Sequence, residues 1–149
     1  MDPNWPRYDL IFYLDGTVDA DDSEAVATLI ARLRQEHSWT LGPPQMVDEV
    51  DDYCPYPEDK PIRTLGGALE LYVTTFDGRY VDRDVDAAHL AEVSVLMDEL
   101  SEFSKLSGHD IVLELGGKYV GEIESGVPNP NLRIGLIEEW QRALDARRE

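Results

Sequence analysis

The sequence has one cysteine, Cys54, in a chain of 149 residues. A single cysteine cannot form a disulfide within the chain, and it cannot supply the thiolates of a cysteine-rich zinc site. Long apolar runs are also missing, since no segment approaches the roughly 18 apolar residues of a membrane span. The N-terminus has neither the basic nor the apolar segment of a signal peptide, so the cytoplasm is the expected location.

Basic residues are few in this chain. Lys and Arg number 13 against 31 Asp and Glu, which gives a net charge of −18 and a pI of about 4.3. Such a surface repels nucleic-acid phosphates and anionic lipids, so we expect neither a nucleic acid nor a membrane as partner. The same charge would speed encounter with a basic protein. A charge that serves only solubility is the alternative, and it stays open.

Groups with catalytic potential are also scarce. The three histidines, His37, His89 and His109, are each predicted near the end of an element, and His89 is expected on the surface of a helix. No Ser or Cys lies on a nucleophile turn, and no glycine-rich phosphate loop is present. The sequence therefore predicts no catalytic residue, no cofactor and no bound metal ion.

Hydrophobic periodicity predicts both strands and helices. Alternation at Tyr8–Leu14 and at 66–76 is typical of strands with one wet face, and apolar stripes at three- and four-residue spacing favour helices at 23–37 and 87–107. Gly116-Gly117, between two extended runs, is typical of a two-residue hairpin turn. Residues 1–149 should form a single α+β domain, a two-layer sandwich with a largely antiparallel sheet of four to five strands and about three helices on one face.

The stretch "LIFYLDGTVD", residues 10–19, resembles the phosphate-transfer motif of the haloacid dehalogenase-like phosphatases. Asp15 matches the second aspartate of that motif, but Tyr13 occupies the position of the nucleophilic aspartate and cannot form an acyl phosphate. A strand followed by a turn is the simpler interpretation. A metal-dependent hydrolase using Asp15, Asp19 and Asp21 remains an alternative, although acids at a helix start also serve as caps.

The segment from Val47 to Pro61 combines acids, tyrosines and prolines. Proline and turn-forming residues predict an exposed, irregular loop. Tyrosines offer contact area at low entropic cost, so the loop suits a binding surface, although a solvated connecting loop explains it too. The predicted partner-binding residues are Asp48, Glu49, Asp51, Asp52, Tyr53, Tyr56, Glu58 and Asp59.

A second exposed surface follows from the strand alternation. One face of the predicted sheet packs on the helices, which leaves the other face in water. The sequence places aromatic and acidic side chains on this second face: Tyr13, Glu70, Tyr72, Thr74, Glu114 and Tyr119.

The segment "LELGGKYVGEIESGVPNPNLRIGLIEEWQRAL", from Leu113 to Leu144, resembles the closing hairpin and helix of bacterial polymorphic-toxin immunity proteins. The resemblance implies a non-enzymatic, cytoplasmic inhibitor that binds a toxin domain and occludes its active site. The acidic composition agrees with a basic protein partner. A homo-oligomeric structural protein is a further alternative, and the oligomeric state does not follow from the sequence.

Overall fold

The fold combines one large sheet with a layer of helices. A computed structural model describes residues 4–76 and 78–147. Its strands are β1 (Arg7–Leu14), β2 (Gln45–Asp51), β3 (Ile62–Tyr72), β4 (Thr75–Phe76), β5 (Arg79–Tyr80), β6 (Ile111–Leu115), β7 (Lys118–Glu124) and β8 (Val127–Pro128). Its helices are α1 (Ala20–Glu36), α2 (Arg83–Ser107), α3 (Pro130–Leu132) and α4 (Glu139–Ala146), and a π-helical segment (Arg133–Glu138) joins α3 to α4.

The large sheet has the strand order β2-β3-β1-β6-β7-β8, and all of its pairings are antiparallel. Strands β4 and β5 form a separate two-stranded ribbon. The predicted α+β fold is confirmed, with six strands in the sheet where four to five were expected. No described helix is both long enough and apolar enough to cross a membrane.

The core lies between one face of the sheet and the helices. Leu10, Phe12 and Leu14 of β1 are buried, while the residues between them are more exposed, as the alternation predicted. The buried stripe of α1 packs on the same sheet face and consists of Val26, Leu29, Ile30 and Leu33. The alternating buried face of β1 and the buried stripe of α1 therefore pack together in one core.

Both long helices begin earlier than the sequence suggested. Asp19 caps α1 and forms a reciprocal capping box with Asp22, because its side chain accepts from the Asp22 N–H and its own N–H donates to the Asp22 carboxylate. Helix α2 begins at Arg83, four residues before the predicted start. Its end is as predicted, since Gly108 adopts the left-handed conformation with a φ of 77°.

The hairpin of β6 and β7 turns at Gly116-Gly117, as predicted. A two-residue turn at this point predicts that Glu114 lies opposite Tyr119 and Leu113 opposite Val120. Glu114 does pair with Tyr119, but Leu113 pairs with Gly121 because the register shifts between Leu113 and Glu114. Gly121 has a φ of 149°, and a Cβ atom there would lie 2.6 Å from Cγ of Leu132. A glycine at this point lets α3 pack directly on β7.

Candidate functional site

The predicted binding segment forms one edge of the molecule. Strand β2 extends to Asp51, so the prediction of an irregular loop was wrong for residues 47–51, and Asp48, Glu49 and Asp51 lie in a regular strand. Residues 52–61 form the loop to β3. We call residues 45–61, the strand with its loop, the acidic arm. It carries the acids Asp48, Glu49, Asp51, Asp52, Glu58 and Asp59 and a single basic residue, Lys60.

Exposed apolar side chains are concentrated on the acidic arm. Tyr53 is 79% exposed and Tyr56 is 64% exposed, and Val50 and the adjoining Ile62 are also more than half exposed. Elsewhere in the described chain such exposed side chains are scattered. Several large exposed apolar groups within one short segment are typical of an interaction surface.

Local hydrogen bonds order the loop of the acidic arm. The Tyr53 N–H donates to the Asp51 carboxylate at 3.0 Å, and the Tyr56 N–H donates to that of Asp59 at 3.1 Å. The Asp59 N–H donates back to the Tyr56 carbonyl at 3.0 Å, which closes a turn. These bonds order the backbone at both tyrosines and reduce the backbone entropy that binding would remove.

Asp48 attaches the acidic arm to the body of the protein. Its two carboxylate oxygens each accept from the Arg63 guanidinium at 2.9 Å, and Oδ2 also accepts from the Ser23 hydroxyl at 3.1 Å. The hydrogen bond from Arg63 is the largest influence on the pKa of Asp48 and lowers it below its ordinary value. The charges of Asp19 and Asp22 help to raise the pKa of Arg63, so the start of α1 lies near this pair.

A contact between a carboxylate and an imidazole lies at the start of α1. Oδ1 of Asp22 is 2.9 Å from Nε2 of His109, which precedes β6. Burial raises the pKa of Asp22, but the hydrogen bonds from the Asp19 N–H and from His109 outweigh it, and the pKa is lowered. The two pairs connect the acidic arm, α1 and the loop before β6.

Replacing Asp48 by asparagine should change the pH dependence of stability. The folded protein holds the Asp48 pKa below its ordinary value of 3.8, so the carboxylate stabilises the fold above that pH. This stabilisation is lost as the pH falls through the folded pKa. We expect the melting temperature of Asp48→Asn to lie below that of the wild type at pH 7, and the gap to narrow as the pH falls below 3.8 and through the lower pKa of the folded state.

Thermal unfolding in a buffer series from neutral to acidic pH measures this gap. Asp52→Asn is the matched control, because Asp52 is exposed and makes none of the hydrogen bonds or ion pairs seen in the described residues. A gap that stays constant with pH for Asp48→Asn, or one of equal size for Asp52→Asn, would contradict the prediction.

The sheet face away from the helices carries tyrosines paired with acids. The Tyr13 hydroxyl donates to the Glu114 carboxylate at 2.8 Å, and the Tyr119 hydroxyl donates to that of Glu122 at 2.8 Å. Burial, together with the bond to Glu114, raises the pKa of Tyr13 to about 12. These tyrosines therefore already have intramolecular partners.

Thr74, which was predicted on that face, lies elsewhere, whereas Tyr72 keeps the alternation of β3 with Glu70. The Thr74 hydroxyl donates to Oδ1 of the buried Asp86 at 3.3 Å, so Thr74 faces the helices. Tyr72 is half-buried, with its ring 5.5 Å from the Arg7 guanidinium and 5.8 Å from the ring of His89. The prediction continued the alternation past Tyr72, where β3 ends.

His89 is buried, so the prediction of a surface residue was wrong. It is 1% exposed, and its Nε2 accepts from the Tyr72 N–H at 3.2 Å. Its Nδ1 lies 3.5 Å from the buried Glu92, whose carboxylate also accepts from the Thr40 N–H and hydroxyl. The signal was present, because His89, Val93 and Leu96 follow the core spacing i, i+4, i+7.

Asp86 is a second buried polar group that sequence reasoning missed. Asp86 directly precedes the helix start predicted at residue 87, a position typical of a helix cap, but it is 2% exposed and lies inside the first turn of α2. Its carboxylate accepts from the Trp140 indole at 2.8 Å and from the Arg147 guanidinium at 3.1 Å. Asp86 therefore connects the C-terminal helix to α2.

The described residues contain no group of three or more His, Cys, Asp or Glu side chains placed to hold a metal ion. Asp19 is used in the capping box, and Asp15 is exposed after β1. The metal-dependent hydrolase stays a prediction that calorimetric titration with Mg²⁺ would test, and no feature of the site adds to it.

No protein-family model, curated protein or solved structure matches the chain. Its function must therefore be inferred from the geometry and charge of its own residues.

Proposed function

We propose that the protein is a non-enzymatic binding protein that recognises a basic protein through the acidic arm. We further propose that it is an immunity-type inhibitor, which acts in the cytoplasm and occludes the active site of a toxin domain. The main support is the exposure of Tyr53 and Tyr56 in a loop that is ordered by its own hydrogen bonds and surrounded by acids.

The charges of the acidic arm support a basic partner. Among the described residues, Asp48 is the one acid of the arm that forms an ion pair, with Arg63. The carboxylates of Glu49, Asp52 and Glu58 are left to act on molecules in solution. These carboxylates, together with the net charge of −18, would attract a positively charged surface and orient it towards Tyr53 and Tyr56.

The C-terminal segment supports the more specific proposal of an immunity-type inhibitor. Residues 113–144, which resemble part of the immunity proteins, fold as a hairpin followed by helical segments. This arrangement agrees with the one that the resemblance implies. The hairpin and the acidic arm lie towards opposite edges of the sheet. The resemblance therefore supports the type of protein, and the contact surface is proposed from the acidic arm alone.

Neutralising three acids of the arm should slow binding to the basic partner. In the triple variant Glu49→Gln, Asp52→Asn, Glu58→Gln, we expect the association rate constant at low salt to fall on the order of tenfold, because long-range attraction is reduced. Its salt dependence should become flatter, while the melting temperature stays within about 2 °C, as for surface changes away from special contacts.

The experiment has two stages and one matched control. Immobilised wild-type protein first captures its partner from lysate and secreted fractions of the source organism at low salt, and surface plasmon resonance then measures the association rates. The control variant Asp98→Asn, Glu102→Gln, Glu138→Gln removes the same charge from exposed positions on α2 and before α4. Equal slowing by the two variants would show that net charge, and not the arm, guides association. Capture of a partner that is not basic would contradict the proposal.

A further inference from the structure

Strand β2 is a long, regular edge of the sheet. It pairs with β3 over seven consecutive residues, from Gln45 opposite Ala68 to Asp51 opposite Ile62, without a register shift. Within the described residues, β3 is its sole sheet partner. The opposite edge differs, because it is the two-residue strand β8, which ends in Pro128. Proline has no N–H to offer a further strand.

The free side of β2 presents unpaired backbone groups. Alternate residues of an edge strand direct their N–H and C=O groups away from the sheet, where another strand can pair with them. At about 3.3 Å per residue, the seven residues of β2 extend over about 23 Å. Proteins commonly protect such an edge with a bulge, a proline or charged side chains. Strand β2 has no bulge and no proline, and its charged side chains are the acids Asp48, Glu49 and Asp51.

The acids of β2 decide which strand can pair with it. In an antiparallel pair of two copies aligned at Glu49, the two Glu49 carboxylates would lie directly opposite each other, and in a pair aligned at Asp48 the two Asp48 carboxylates would do so. Like charges in directly opposite positions destabilise a sheet. A second copy of this chain is therefore disfavoured, whereas lysine or arginine side chains in a partner strand would form favourable cross-strand pairs with these carboxylates.

We propose that β2 accepts an extended, basic segment of the partner protein as an additional strand of the sheet. The inference rests on the proposed function and adds the mode of recognition. Side chains of the added strand would alternate between the two faces, beside Val47 and Glu49 on one and Asp48 and Val50 on the other. The loop with Tyr53 and Tyr56 continues from the end of β2 and would contact the rest of the partner.

A pair of synthetic peptides tests the backbone pairing directly. The first is an acetylated and amidated heptapeptide in which Lys and Val alternate. The second has the same sequence with N-methyl groups on alternate residues, which remove N–H donors and keep every charge. We expect the first peptide to protect β2 amides from hydrogen exchange and to bind at least tenfold more tightly than the second. Equal affinity, protection away from β2 or no binding would overturn the proposal.

Proline substitutions test the same edge from the protein side. In Glu49→Pro and Val50→Pro, one proline replaces an N–H that donates to β3 and the other replaces an N–H that points into water. The variant that keeps the wild-type melting temperature should lose binding of the first peptide. Unchanged binding by that variant would overturn the proposal, and the peptide pair gives an answer whether or not either variant folds.

The two proposals can fail separately. If N-methylation has no effect while neutralising Glu49, Asp52 and Glu58 still slows association with the captured partner, strand addition is wrong and the acidic binding protein stands. If the first peptide binds at β2 but the neutralised variant associates normally, the edge pairs with basic strands and the proposed function of the arm is wrong.

Discussion

Replacing Tyr53 and Tyr56 together by alanine is expected to weaken binding to the basic partner at least a hundredfold. Central tyrosines of an interface commonly contribute about 2 kcal/mol or more each, and such contributions are not additive. Both rings are exposed and make no contact that holds the fold together, so the melting temperature should change little. The loss should lie in the dissociation rate, because short-range contacts determine how long a complex lasts.

Comparison of three variants shows whether the loss of affinity comes from the tyrosines of the acidic arm. Calorimetry or surface plasmon resonance would compare the double alanine variant with Tyr53→Phe, Tyr56→Phe, which keeps the rings, and with Tyr80→Ala. Tyr80 is 58% exposed and lies in β5, beyond the opposite end of β3 from the acidic arm. We expect the phenylalanine variant to keep most of the affinity and Tyr80→Ala to keep all of it. If Tyr80→Ala is as harmful as the double alanine variant, the arm is not the centre of the interface.

The regular parts of the fold could be predicted because their signals are local. Leu10, Phe12 and Leu14 alternate along a strand, and Val26, Leu29 and Leu33 repeat at helical spacing, so each element identifies its own buried face. The number of strands was harder to predict. Residues 47–51 of strand β2 were predicted as part of an irregular loop, because Asp48, Glu49 and Asp51 interrupt the apolar alternation by which a strand is recognised.

The buried polar residues were missed for a different reason. Asp86 and His89 occupy helix positions that face the core, but a charged or polar side chain can be buried only where partners satisfy it. The partners of Asp86 are Trp140 and Arg147, more than 50 residues away in the chain. Helical spacing could have indicated which side these residues face, whereas their hydrogen bonds depend on the tertiary fold.

The binding segment could be predicted from its composition, but its geometry could be described only from the structure. Tyrosines, prolines and acids in 47–61 suggested an exposed binding loop, and the exposure of Tyr53 and Tyr56 agrees with that. The sequence did not distinguish Asp48, which is held by Arg63 and Ser23, from Asp52, which is not. It also did not place β2 at the edge of the sheet, because strand order depends on contacts between distant segments.

Asp86→Ala is expected to lower the free energy of unfolding by about 3 to 5 kcal/mol, as removal of one partner from a buried ion pair commonly does. The Trp140 indole and the Thr74 hydroxyl would each lose this acceptor, and the Arg147 guanidinium would lose its carboxylate partner while it keeps its bond to the Val81 carbonyl. Asp86→Asn keeps an oxygen that can accept from Trp140 and loses the charge opposite Arg147. Its effect should therefore be smaller.

Urea unfolding followed by tryptophan fluorescence measures these losses, with Asp84→Ala as the matched control. Asp84 lies in the same first turn of α2 but is exposed, so its replacement should cost less than about 0.5 kcal/mol. A similar loss for both variants would mean that helix-start charge, and not the buried contact, stabilises α2. Asp86 lies beyond the end of β3 that is farther from the acidic arm, so Asp86→Asn should bind the basic partner normally at temperatures where it is folded. Stability and recognition would then depend on opposite ends of the same strand.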